Sequence, residues 1–169
     1  MEHAATMDFD RQTQFGQLLE AHRGIVLKVA HGYAWHPEDR ADLAQEIATQ
    51  LWRAFPRYDP ARSFSTWMYR IALNVAISSL RARRQDARTV PLDERLHEPL
   101  DSAAASLELQ QQVGALRRFI HRQEPLNRAL LLLYLEDRPH AQIADILGIS
   151  VSNVATKIGR LKQRIHNEL

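Results

Sequence analysis

Two blocks of apolar residues spaced three and four apart, with an unpatterned stretch between them, constrain this chain more than any other feature of its sequence. Between about Gln85 and Ser102 lies RTVPLDERLHEPLDS, where Pro91, Pro99 and scattered acids favour a solvated connector over a packed element. On either side the apolar spacing is helical, and nothing alternates as a half-buried strand would. The expected fold is all-α, with two small helical domains at 9–88 and 104–169 joined by a flexible linker over 89–103.

In the first block the spacing predicts one helix through Phe15, Leu18, Leu19, His22, Ile25, Val26, Val29, Ala30 and Tyr33, capped by Asp8 or Asp10. Pro37, followed by Glu38 and Asp39, predicts a second helix burying Leu43, Ile47, Leu51, Ala54 and Phe55. Past Pro56 and Pro60, Ser63 or Ser65 is placed to cap a third helix that reaches about Arg84.

The second block reads as a helix on Leu109, Val113, Leu116 and Ile120, a very apolar one over Leu126 to Leu135, one over His140 to Leu147, and a last from Val151 to about His166. The segment HAQIADILGISVSNVATKIGRL has the layout of a helix-turn-helix. Ala144 is small where two helices must approach, Gly148 suits a positive-φ turn, Ile149 fills the space below, and Ser150 is placed as an N-cap.

With Val154, Ile158, Leu161 and Ile165 turned inward, Ser152, Asn153, Thr156, Lys157, Arg160 and Arg164 face outward. Hydroxyl and amide side chains can read base edges, while flanking cations meet phosphates, so this face suits a DNA major groove. Gly159 within that helix costs roughly 1 kcal/mol relative to Ala, which predicts a marginally ordered helix before DNA arrives.

Charge is distributed to match. Residues 1–56 carry five Lys/Arg against eight Asp/Glu, and residues 57–90 carry seven against two. The acidic part places Asp42, Gln45, Glu46 and Thr49 on one helix stripe, and the basic part places Arg70, Asn74, Ser78, Arg81 and Gln85 on another. Carboxylates on an open helix face lack the enclosure that shifts a pKa for acid–base catalysis, so docking fits them better. Phe64, Trp67 and Tyr69 crowd the start of the basic helix; such rings suit base stacking, although Trp67 reads first as core.

The chain has no cysteine, its histidines show no metal spacing, and its apolar runs fall short of a membrane span. No metal, cofactor or membrane insertion is expected. The opening MEHAATMDFD lacks the basic-then-apolar layout of a signal peptide, so a cytoplasmic protein is expected.

DLAQEIATQLWRAF (Asp42 to Phe55), followed by FSTWMYRIALNVAISSLRARR (Phe64 to Arg84), resembles region 2 of extracytoplasmic-function sigma factors, and the C-terminal half resembles their region 4. The resemblance implies a non-enzymatic protein that brings core RNA polymerase to promoter DNA, and a possible anti-sigma factor as a further partner. It assigns Asp42, Gln45, Glu46 and Thr49 to polymerase docking. Tyr58, Arg62, Ser63, Phe64, Trp67, Arg70, Asn74 and Arg81 would read the −10 element. Ser152, Asn153, Thr156, Lys157, Arg160 and Arg164 would read the −35 element.

The chain departs from the family pattern at Pro60 and Arg62, where many members have Gly, and at Ala155 and Gly159, where an Arg and an aromatic are common. Two other readings stand beside this one. A polymerase-independent helix-turn-helix regulator would dimerise on a palindrome, and a helical hydrolase would use Asp42, Glu46 and a histidine.

Overall fold

The computed structural model describes residues 2–86 and 106–169, with side chains from residue 4 in the first span and to residue 85 at its end. The expected linker over 89–103 lies outside the described residues. Among the described residues every regular element is helical: α1 Glu2–Ala21, α2 Arg23–Tyr33, α3 Pro37–Ala54, α4 Phe64–Asp86, α5 Leu107–His121, α6 Pro125–Leu135, α7 His140–Leu147 and α8 Val151–Glu168. The chain divides into two compact units, Met1–Ala76 and Ile77–Leu169, and the division falls inside α4.

The N-terminal unit departs from the expected single helix through Phe15 and Tyr33, which is two. His22 leaves helical geometry at φ −118°, ψ 15°, and its N–H and ring Nδ1 both donate to the Leu18 carbonyl, at 3.1 and 3.0 Å. Neither Asp8 nor Asp10 caps anything, because α1 begins far upstream at Glu2. That upstream half carries no Pro or Gly to stop a helix, and its exposed side chains leave no apolar periodicity to announce one.

Val29, Ala30, Leu43, Ile47, Leu51, Met68, Ala72, Leu73 and Ala76 form the fully buried centre where α2, α3 and α4 meet. Pro37 at the first position, with Glu38 and Asp39 in the first turn, starts α3 as expected. The corner before it is closed by a residue the periodicity did not single out: Arg40, buried, donates from Nε to Ala34 O at 3.0 Å and from Nη2 to Trp35 O. A charged donor thus pairs the two carbonyls that follow the end of α2, those of Ala34 and Trp35.

The C-terminal unit repeats the device. Pro125 opens α6, and buried Arg128 donates to Gln123 O at 3.0 Å and to His121 O. Ala129, Leu130, Leu131 and Leu133 make α6 the central rod, packed by Phe119, Ile143, Val154 and Ile158. Leu109 and Val113, expected to lie on the buried face of α5, are 48% and 37% exposed, because the covered part of that helix is its C-terminal end at Phe119 and Ile120. Asp137 ends α6 in the left-handed region at φ 55°, a position more often given to glycine.

Candidate nucleic-acid interface

The turn between α7 and α8 has the expected chemistry. Gly148 adopts φ 68°, ψ 33°, and Ala144 O accepts from both Gly148 N (2.9 Å) and Ile149 N (3.2 Å). Ser150 Oγ then accepts from Asn153 N at 3.0 Å and caps α8. These contacts fix where α8 starts, and Val154, Ile158 and Leu161 fix which face it hides.

Ser152, Asn153, Thr156 and Arg160 are consequently exposed, and Lys157 is half-buried. Arg164 is exposed on α8, as its spacing predicts, and it also has partners within the unit. Its Nη1 donates to Gln123 Oε1 at 3.0 Å and its guanidinium lies 5.7 Å from the Phe119 ring, so it ties α8 to the end of α5. Buried Gln123 had no periodic signal in the sequence, yet it joins three helices: its Nε2 donates to Phe119 O at 3.0 Å, while its oxygens receive Arg128 and Arg164.

In the N-terminal unit Asp42, Gln45 and Glu46 are exposed on α3 and Thr49 is half-buried, its hydroxyl returned to Gln45 O at 2.9 Å. Gln50 donates to Glu46 Oε1 at 2.9 Å, which steadies that carboxylate on the surface. Arg70, Asn74, Ser78 and Arg81 are exposed along α4 in one stripe, as their spacing predicts.

Between α3 and α4 sits a cluster of rings. Phe15 meets Trp52 at 5.2 Å and Phe55 at 5.1 Å; Phe55 stacks on Tyr58 at 6.1 Å; Tyr58, Phe64 and Trp67 meet one another at 5.0 to 5.3 Å. Phe64, expected at the −10 face, is only 7% exposed and packs on the His22 ring at 4.9 Å. Tyr58 and Trp67 are half-buried, and Arg62 and Ser63 are exposed. Ser63 Oγ accepts from Thr66 N at 3.4 Å at the start of α4. Among the described residues no three His, Cys, Asp or Glu side chains are grouped to hold a metal ion, and no helix is long and apolar enough to cross a membrane.

Family comparison places both surfaces in one lineage. The model for sigma-70 region 2 matches residues 18–85, and that for sigma-70 region 4 matches residues 114–165. The extracytoplasmic-function sigma factor SigW of Bacillus subtilis is 24% identical over 170 residues, covering 94% of this chain and 90% of SigW. The sigma factor CnrH of Cupriavidus metallidurans is 27% identical over 176 residues, covering 96% and 90%.

The chain belongs to the extracytoplasmic-function sigma factors. As a sigma factor it acts in promoter-specific initiation of transcription. The region 2 match contains the stripes on α3 and α4, and the region 4 match contains the α7–α8 turn and the exposed face of α8.

The sigma-factor fold recurs in solved structures. CnrH in complex with the cytosolic domain of CnrY gives a TM-score of 0.65 at 22% identity, covering 92% of this chain and 87% of that one. RpoE of Bartonella quintana in complex with the anti-sigma factor NepR gives 0.68 at 18%, covering 94% and 95%.

Proposed function

We propose that the stripe of Asp42, Gln45, Glu46 and Thr49 docks this sigma factor on core RNA polymerase, leaving two other faces to read the promoter. Arg62, Ser63, Trp67, Arg70, Asn74 and Arg81 form the face for the −10 element, with Tyr58 and Phe64 supporting it from behind. Ser152, Asn153, Thr156, Lys157 and Arg160 form the face for the −35 element. The functional domains are 9–88 and 104–169, with 89–103 as the tether between them.

The observation that carries this reading is the division of charge between α3 and α4. Carboxylates line the exposed stripe of α3, whereas that of α4 carries arginines beside an asparagine and a serine. An anionic ridge repels phosphate and suits a protein partner; a cationic one attracts DNA and releases its counterions. On α8 the hydroxyls and amide sit toward the first turns, where a recognition helix meets base edges.

Bond-forming chemistry on this reading belongs to the polymerase, and the protein works in the cytoplasm alongside it. CnrH and the Bartonella RpoE were each solved with a bound partner, CnrY and NepR. A regulatory protein of the anti-sigma type is therefore a natural third partner, held until transcription is required.

Charge reversal on α3 tests the docking assignment. Glu46→Arg is expected to weaken binding to core polymerase by about tenfold or more, the scale of truncating or reversing a charge in an interface, while circular dichroism stays unchanged. Unaltered affinity would remove α3 from the docking surface.

A further inference from the structure

Resting on the reading of the α3–α4 loop as part of the −10 face, we propose that Tyr58 is a positioning residue that holds this loop in its DNA-receiving shape. It does so by clasping the Arg62 carbonyl and is not itself a base contact.

The loop is built as a closed turn. Asp59 O accepts from Arg62 N at 3.0 Å, and Asp59 Oδ1 accepts from Ala61 N at 2.9 Å. Pro60 stands between them, where its fixed φ suits the second position of a β-turn that starts with Asp. Across the mouth of the turn the Tyr58 hydroxyl donates to Arg62 O at 2.7 Å. Three hydrogen bonds thus order a segment whose tip, Asp59 to Ser63, is exposed.

Tyr58 has little left to offer a base. Its ring stacks on Phe55 with planes 15° apart, meets Phe64 edge-on at 86°, and lies 5.0 Å from Trp67. Phe55 passes this anchorage to Phe15 of α1. The half-buried phenol is therefore packed against three rings while its one donor is committed to Arg62 O. The turn that it shapes is more exposed than the ring, Arg62 included.

Opening a duplex requires a base to leave its stack, a step with its own free-energy penalty. A loop ordered only on capture would add the entropy of its own ordering to that barrier. A clasped loop does not. The Asp-Pro turn and the tyrosine clasp are two devices serving one end, so weakening either should have the same effect, and weakening both should add little.

The experiment uses full-length protein with bacterial core polymerase and a promoter selected by the wild-type protein from a randomised library. Opening is followed by 2-aminopurine fluorescence in the −10 element, on duplex and on a template already mismatched there. Tyr58→Phe keeps the ring and removes the clasp; Pro60→Gly loosens the turn and leaves the ring and hydroxyl intact.

Each variant is expected to slow opening on duplex by roughly fivefold, the scale of one hydrogen bond. Both should approach wild-type initiation on the mismatched template, and the double variant should resemble either single one. Polymerase affinity should not change, and the thermal midpoint should fall by no more than a few degrees, about 1 kcal/mol. A Tyr58→Phe protein that opens duplex at the wild-type rate overturns the proposal. So does a defect that persists equally on the mismatched template, which would make the hydroxyl a DNA contact. If wild-type protein itself opens no promoter, the reading of the loop fails and the clasp's role in opening fails with it, an outcome distinct from a normal wild-type rate with an unaffected Tyr58→Phe.

Discussion

Arg40 and Arg128 occupy equivalent places in the two units. Each stands three residues after the proline that opens its helix, and each donates from Nε at 3.0 Å to a carbonyl just past the end of the helix before, Ala34 O and Gln123 O respectively. A guanidinium suits this work because its fixed fork reaches two carbonyls at once. Both arginines are buried, so neither corner can substitute water for the lost donor without rearrangement.

Replacing either with methionine keeps the aliphatic stem and removes the donors. A loss of about 2 kcal/mol is expected for each, the range for hydrogen bonds to charged groups together with the carbonyls left unpaired. Urea unfolding checks it, and a midpoint equal to wild type for Arg128→Met would mean the corner is held by packing alone.

Gly148 and Gly159 should respond in opposite directions to alanine. Gly159 lies inside α8 with nothing within 4 Å of an added β-carbon, so Gly159→Ala is expected to raise stability by about 1 kcal/mol. Gly148 sits at φ 68°, where a β-carbon meets its own backbone, and Gly148→Ala should lower stability by about 1 kcal/mol. Thermal unfolding of the two proteins side by side reads both signs.

Arg160 and Arg164 stand one turn apart on α8 and should separate function from structure. Arg164 is engaged with Gln123 and Phe119, so Arg164→Ala should cost stability and leave the salt dependence of DNA binding unchanged. Arg160→Ala should leave stability intact and flatten the slope of log affinity against log salt by about 0.9, one phosphate contact. Equal slopes for the two variants would show that both, or neither, meet the backbone.

Asn153 contributes its backbone N–H to the Ser150 cap and leaves its side chain exposed at the start of α8. Asn153→Ala is expected to weaken −35 recognition by about tenfold, within the range for one base contact, with polymerase affinity unaltered. Competition between selected and scrambled −35 sequences measures this directly. Loss of affinity on both sequences alike would make Asn153 a register-setting contact.

What the sequence made legible follows from what periodicity can carry. Helices α3, α6, α7 and α8 were readable because an apolar stripe, a proline at the first position or a Ser cap marks each of them. The start of α1 was not, since a helix exposed on all sides has no stripe. The break at His22 was hidden because the apolar spacing runs straight through it. Exposed stripes on α3, α4 and α8 came through for the same reason as the core: they are its complement.

Phe64 and Arg164 have contacts that the same logic of faces could not show. Spacing puts Phe64 near the reading surface, but only the fold brings His22 over its ring. Spacing puts Arg164 outside, but only the fold brings Gln123 within reach. The buried arginines did leave a trace, the repeated Pro-x-x-Arg at Pro37–Arg40 and Pro125–Arg128, which a search for like corners in the two halves would have found.

Run-off transcription with purified core polymerase, followed by sequencing of RNA 5′ ends from a randomised promoter library, measures the central claim most directly. The account predicts that adding this protein creates a new set of start sites sharing two sequence elements at fixed spacing, and that Glu46→Arg abolishes the set. An unchanged start-site distribution, with the protein folded and in excess, would contradict it.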